Sequence, residues 1–406
     1  MQLKSKTLSL QGKVQHYAWG GHQFIPSLIH LNNIENKPCA EYWMGAHPSA
    51  ASLVSDGENK LPLNELITSN PATTITDAVY NHFGELPYLF KILDVKDMLS
   101  IQVHPTKIEA EKGFADEETR GIPINAPHRN YKDRNHKPEV MVALSEFWLL
   151  HGFKSLEEIE KTLWSEKEFH KLIPLFKQEG IKGLYQCVME LQQIDIDNML
   201  TTLIDRELRK KKDNLLTKAE PGWWVCKLYE GVEEINPIDR GIFSIYFFNI
   251  VNANPGEAVF QGAGIPHAYL EGQNVELMAN SDNVLRGGLT PKHIDVPELM
   301  KHTLFTPIKP NVMKGEDIGN NAVLYPCPVP DFGIEKITLH SNQHESIAKS
   351  LEILIAIEGS AIINSSRNLI IKQGEVIAIL PGEAYVIESA NNCVLYKAFV
   401  PDLEGN

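Results

Sequence analysis

GEAVFQGAGIPHAYLEG, residues 256–272, runs from a Gly-Glu pair through a short apolar stretch to a Gly/Pro turn and then Ala-Tyr. GEVIAILPGEAYVIES, residues 374–389, repeats that progression. Strand-length apolar runs broken by Gly and Pro read as hairpins. A repeated hairpin points to two copies of a small antiparallel barrel or jelly-roll unit. The copies differ at a position that matters for chemistry: His267 precedes Ala-Tyr in the first, and Glu383 stands there in the second. A metal is therefore expected in the first unit, and the second reads as a barrel without one.

Outward from these hairpins, the texture of the chain changes twice. Up to about residue 150 it is punctuated by Gly, Pro and Asn, with strand-like runs PYLFKILDV (87–95) and VMVALSEFWLLHGF (140–153). SLEEIEKTLWSEKEFHKLIPLFKQ (155–178), IKGLYQCVMELQQ (181–193) and DNMLTTLIDRELRKKKDNLL (197–216) instead place apolar residues three and four apart. That period is amphipathic helix, and the RKKK run at 209–212 fits a solvated helix face. WWVCKLYEGV (223–232) and GIFSIYFFNIVNANPGEAVF (241–260) read as a return to strands. The expected architecture is mainly β with a helical insertion. A catalytic unit spans 1–152 and 221–306, a helical domain 153–220, and a C-terminal β domain without metal ligands 307–406.

A chain of 406 residues exceeds one ordinary core, so two or three domains are expected. With 43% hydrophobic and 22% charged residues it has the composition of a soluble globular protein. A formal charge of −14 argues against non-specific nucleic-acid binding, which needs a basic face. The five cysteines are scattered without a CxxC pair, which disfavours a disulfide framework or a cysteine zinc site. MQLKSKTLSLQGKVQHYAWGG lacks the apolar core of a signal peptide, and no apolar run approaches a membrane span. A cytoplasmic monomer without membrane or nucleic-acid partners is expected.

Four residues offer a mixed nitrogen and oxygen ligand set: Gln102 and His104 in SIQVHP, Glu139 in NHKPEV, and His267 in GIPHAYLEG. Zinc accepts such a set, and two histidines with one carboxylate are usual at catalytic sites. Gln102 and His104, two apart, share one face if extended. Pro138 biases Lys137 toward extended geometry, so Lys137 and Glu139 should share an orientation. Taken singly, each residue reads better as a core histidine, a surface amide or an ion pair. NVELMANSDNVLRGGLTPKHID (274–295) adds Glu276, Asp282, Arg286 and Lys292 as a candidate substrate shell, and His136 is either an acid–base group or a turn residue.

SIQVHP, NHKPEV, GIPHAYLEG and SDNVLRGGLTPK, in this order and with VQHYAWGG and AEYWMGAHPSA ahead of them, resemble type I phosphomannose isomerase. The resemblance implies a cupin-type jelly roll with one zinc per subunit, a helical domain and a second cupin-like β domain. It maps the metal ligands to Gln102, His104, Glu139 and His267, and an active-site arginine to Arg286. It associates His136, Lys137, Glu276 and Asp282 with proton transfer, and Lys292, Ser100, Tyr269 and Trp19 with substrate binding. The implied reaction interconverts mannose 6-phosphate and fructose 6-phosphate through a cis-enediol, with the base unassigned. An iron bicupin oxygenase is a competing class, weakened by the glutamine ligand. A non-catalytic sugar-binding protein is another, since fold alone does not dictate activity.

Overall fold

The computed structural model describes residues 4–232, 235 and 237–403. Positions 1–3 and 404–406, the outer ends of the first and last expected domains, lie outside the described residues. The chain is mostly antiparallel sheet, with most of its helical residues between Leu156 and Phe247.

The 13-residue strand His267–Ala279 organises the first sheet. Its first half pairs with Phe147–Phe153, and its second half lies between Tyr88–Val95 and Glu139–Ala143. The division falls at Gly272, which has φ +127° and would drive a Cβ to 2.6 Å from the Glu146 carbonyl oxygen. Glycine at such a bend lets one strand turn between partners. Gln102–Val103 joins at the same end, pairing with His267 on one side and Leu285–Arg286 on the other.

Every residue of Tyr88–Val95 is buried, because both faces of that strand are covered. Phe90 and Ile92 pack toward the second sheet with Ile353, Ile355 and Tyr396, whereas Leu93 and Val95 face the interior of the first unit with Met141 and Tyr269. The second sheet contains nine strands, and a four-stranded sheet lies against it across a core that includes Ile337, Leu354, Ile377 and Ile387. The nine strands do not follow the division drawn from sequence. Thr7–Gln11, assigned above to the catalytic unit, pairs with Val376–Ile379, and Leu53–Ser55 and Lys60–Pro62 extend the same sheet.

Both repeats are strand–turn–strand segments, Ala258–Gln261 leading to His267–Ala279 and Val376–Ile379 leading to Ala384–Glu388. The hairpin reading is a correction: the first strand of each pairs elsewhere, with Glu139–Ala143 in one and with Thr7–Gln11 and Glu352–Glu358 in the other. Glycines take positive φ at matching places, Gly256 and Gly264 in one and Gly374 and Gly382 in the other.

Helices occupy Leu156–Ser165, Ile173–Glu190 and Gln193–Lys212, the first closed by a Ser155/Glu158 capping box. The strands expected after Pro221 are a correction. Pro221–Tyr229 and Gly241–Phe247 are helices, and strand begins only at Phe248. Aromatic and β-branched content favours a strand reading, but Trp224, Val225, Phe243 and Phe247 pack into the helical core, and tertiary burial overrides propensity. The helix Lys107–Thr119, N-capped by Thr106, has no counterpart among the expected elements.

Candidate active site

His104, Glu139 and His267 converge from three stretches of chain, and the candidate ligand atoms all lie within 4.8 Å of one another. His104 Nε2 is 3.4 Å from Glu139 Oε1, and His267 Nε2 is 3.4 Å from Glu139 Oε2. That is long for a charge-assisted hydrogen bond, whose usual length is about 2.7–2.9 Å. It matches donors that share one ion: two atoms about 2.0–2.1 Å from zinc at a tetrahedral angle lie about 3.3 Å apart.

The imidazoles are set for the same purpose. His104 Nδ1 faces the Asn283 carbonyl oxygen at 2.8 Å, and His267 Nδ1 faces the Ile265 carbonyl oxygen at 2.9 Å. A carbonyl only accepts, so each Nδ1 carries the proton and each Nε2 keeps its lone pair. Both Nε2 atoms are buried without a hydrogen-bond partner among the described residues. Orphaned acceptors are costly in a core unless a ligand takes them. Burial lowers the His104 pKa to about 4, which keeps it neutral. At Glu139 burial opposes ionisation but is outweighed by Lys137 and His104, and the pKa falls well below the usual range. Gln102, the cross-strand partner of His267, lies beside this group. The donor set fits zinc.

Strand alternation places Lys137 on the metal side, its Nζ 3.2 Å from Glu139 Oε1. The same alternation turns His136 the other way, where its Nε2 is 3.0 Å from Asp331 Oδ1. His136 is therefore not brought to the metal cluster. Glu276 is brought near it: buried, it accepts from Lys91 Nζ at 3.0 Å, and its pKa is raised by burial against the pull of Lys91. Asp282 is more exposed and lies 3.4 Å from His47 Nε2, which lowers its pKa.

Arg286 pairs in register with Gln102, and burial lowers its pKa. The exposed Lys292 is shifted down by partial desolvation and then by the Arg286 charge. Ser100 sits in a segment clamped by Leu99 N to the Tyr269 carbonyl and Ile101 N to the Gly288 carbonyl, which holds it near Arg286. Tyr269 is buried in the first unit, its pKa raised well above normal by burial and then by Glu276. Trp19 stacks on Tyr17, with ring centroids 5.9 Å apart. Tyr17 in turn feels Glu41, Lys91 and Asp282.

Two residues missed in the sequence reading are central. Lys91 is a buried ammonium between Glu276 and Glu41, the latter at 3.4 Å. Its signal was a cation in the middle of the apolar run YLFKIL, since buried charges are costly unless paired. Asn283 orients His104 through its carbonyl. Its side chain accepts from Lys132 N and donates to the Asp133 and Asn135 carbonyls, tying down the segment that leads to Glu139.

Glu41, Glu139 and Glu276 against Lys91 and Lys137 leave this interior with an excess negative charge that a divalent cation would reverse.

Comparison with known proteins identifies the family. The profile described as phosphomannose isomerase type I, catalytic domain, matches residues 7–156. Mannose-6-phosphate isomerase of Escherichia coli K12 is 38% identical over 384 residues, covering 93% of this chain and 95% of that protein. The Homo sapiens protein of that name is 32% identical, covering 89% of each chain. A crystal structure of the Salmonella typhimurium enzyme bound to fructose 6-phosphate and zinc superposes with TM-score 0.86 at 34% identity. It covers 98% of this chain and all of that one. The chain belongs to the type I phosphomannose isomerase family.

Proposed function

We infer that this protein is a zinc-dependent aldose–ketose isomerase that interconverts mannose 6-phosphate and fructose 6-phosphate through a cis-enediol, with one zinc per subunit. The observation that carries this reading is the pair of orphaned Nε2 atoms on His104 and His267, each 3.4 Å from Glu139. Gln102 completes the ligand set. Zinc, when bound, supplies Lewis acidity that lowers the cost of negative charge on the sugar oxygens. The membership of the chain in its family and the zinc and fructose 6-phosphate in the Salmonella enzyme support the assignment.

The chain's own groups supply the rest. Aldose–ketose exchange needs a proton taken from C2 and one returned to C1. Glu276 is our choice of base, because a carboxyl raised by burial holds a proton closer to neutral pH than an ordinary one does. Lys91 orients that carboxylate and Lys137 balances charge at Glu139. Asp282, steadied by His47, lies on the rim as a second proton-transfer group. Arg286 stabilises the developing enediolate, and Lys292 with Ser100 receives the phosphate. Tyr269 and Trp19 shape the walls. His136 is given a supporting part. We assign the two β units to cupin-type jelly rolls, with the helical domain extended past residue 220 to Phe247. A solution monomer remains our expectation.

A coupled isomerase assay on zinc-loaded protein tests the reading. Arg286→Ala should cut kcat on the order of 10²–10³-fold with zinc content retained. Unchanged turnover would remove Arg286 from the mechanism.

A further inference from the structure

Asp331 belongs to the strand-poor segment that links Ala322–Tyr325 to Gly333–His340, outside the catalytic sheet. It is 1% exposed, and a carboxylate so deep is costly unless a partner requires it. Its Oδ1 lies 3.0 Å from His136 Nε2, while Oδ2 has no hydrogen-bond partner among the described residues. The contact with His136 is therefore the interaction that accounts for the buried acid. Its own position is stiff. Pro328 and Pro330 precede it, and Phe332 after it is fully buried against the core shared by the two sheets.

His136 lies on the short segment that carries Lys137 and Glu139 into the site. One side of that segment is already held: Asp133 Oδ2 accepts from Asp282 N at 2.7 Å, and Asn283 Nδ2 donates to the Asn135 carbonyl at 2.8 Å. The other side is held at His136 by Asp331. Because neighbouring residues on extended chain face opposite ways, fixing His136 outward fixes Lys137 inward.

We propose that Asp331 is a positioning residue for the isomerase site: the C-terminal part of the chain reaches across to grip His136 and so sets Lys137 against Glu139. This rests on the isomerase reading above. Glu139 itself is registered by its strand, pairing with Gln261 and Met278, so the metal should stay when the grip is lost.

The test is a double-mutant cycle on the zinc-loaded full chain, with kcat, KM, zinc content and thermal midpoint measured together. Asp331→Ala should lower kcat about tenfold, the scale of a small misplacement at a reacting centre, with KM and zinc content held. Asp331→Asn keeps an acceptor for His136 and should restore most of kcat. His136→Ala should match Asp331→Ala, and the double variant should be no slower than either. Full kcat in Asp331→Ala, or losses that multiply in the double variant, would overturn the proposal. So would a loss of zinc that accounts for the loss of rate. Should Asp331→Ala fail to fold, His136→Ala carries the test, and full activity there overturns it. A wild-type chain without isomerase activity would instead contradict the function on which the proposal rests.

Discussion

The two β units each bury a lysine between two glutamates, yet the metal-ready group lies in the first. Lys91 is 3.0 Å from Glu276 and 3.4 Å from Glu41, and its Nζ sits 5.2 Å from the Trp43 ring centroid. Lys397 is 2.7 Å from Glu335 and 3.9 Å from Glu352, and its Nζ sits 5.3 Å from the Phe399 ring centroid. In both, one glutamate is the lysine's direct cross-strand partner. The surroundings differ. Tyr385 donates to Glu352 at 2.6 Å and closes the second network on itself, and His344 is a lone imidazole on the opposing sheet. In the first unit the ion triad lies beside His104, Glu139 and His267. A buried triad thus belongs to the architecture of both units, and chemistry is added where two imidazoles meet a further carboxylate.

That contrast can be broken by substituting the histidines and the lysines of both units alike. The largest effect is expected from the histidines. His267→Ala should abolish stoichiometric zinc and reduce turnover about 10³-fold or more, whereas His344→Ala should leave both intact. Metal analysis beside the isomerase assay checks this, and zinc loss in His344→Ala would undo the distinction.

The lysines come next. Lys91→Met and Lys397→Met each strand two buried carboxylates, at a cost of about 3–5 kcal/mol in denaturant unfolding. Only Lys91→Met should also lower kcat per folded molecule. Equal activity in the two variants would make Lys91 architectural.

The smallest effect concerns pH. Burial holds the buried His151, cross-strand partner of His267, down to a pKa of about 4, against an ordinary value near 6.5. The unfolded chain therefore takes up a proton between those values that the folded chain refuses. The stability contributed by a neutral His151 is fully present above pH 6.5 and is lost as pH falls toward 4, about 3 kcal/mol in all. His151→Gln in metal-free protein should flatten that acid limb. His344, lowered in the same direction by burial, should contribute with the same sign. An unchanged slope in His151→Gln would mean that another group dominates.

Much of this was legible in the sequence, for identifiable reasons. The repeated strand–turn–strand segments announced themselves through glycines at fixed turns, though not the partners their strands take, and the alternation around Pro138 placed Lys137 with Glu139. The helices at 221–229 and 241–247 were not legible, because Trp223, Trp224, Ile245 and Phe247 carry strand-like composition and become helical only through the partners they pack on. The pairing of Thr7–Gln11 with Val376–Ile379 joins residues at opposite ends of the chain, which local pattern cannot report. Asn283 was hidden for a related reason: its work is done by hydrogen bonds to residues about 150 positions away. His136 looked catalytic by its neighbours, and only the position of Asp331 shows which way it faces.

The central claim is that His104, Glu139 and His267 hold one catalytic zinc in the first unit and that the second unit holds none. Stripping the wild-type chain with a chelator and titrating zinc back, while following metal content and fructose 6-phosphate formation together, tests it directly. The account predicts negligible turnover without metal and activity that rises linearly to saturation at one zinc per chain. Full turnover in the stripped protein, or a second zinc required for activity, would contradict it.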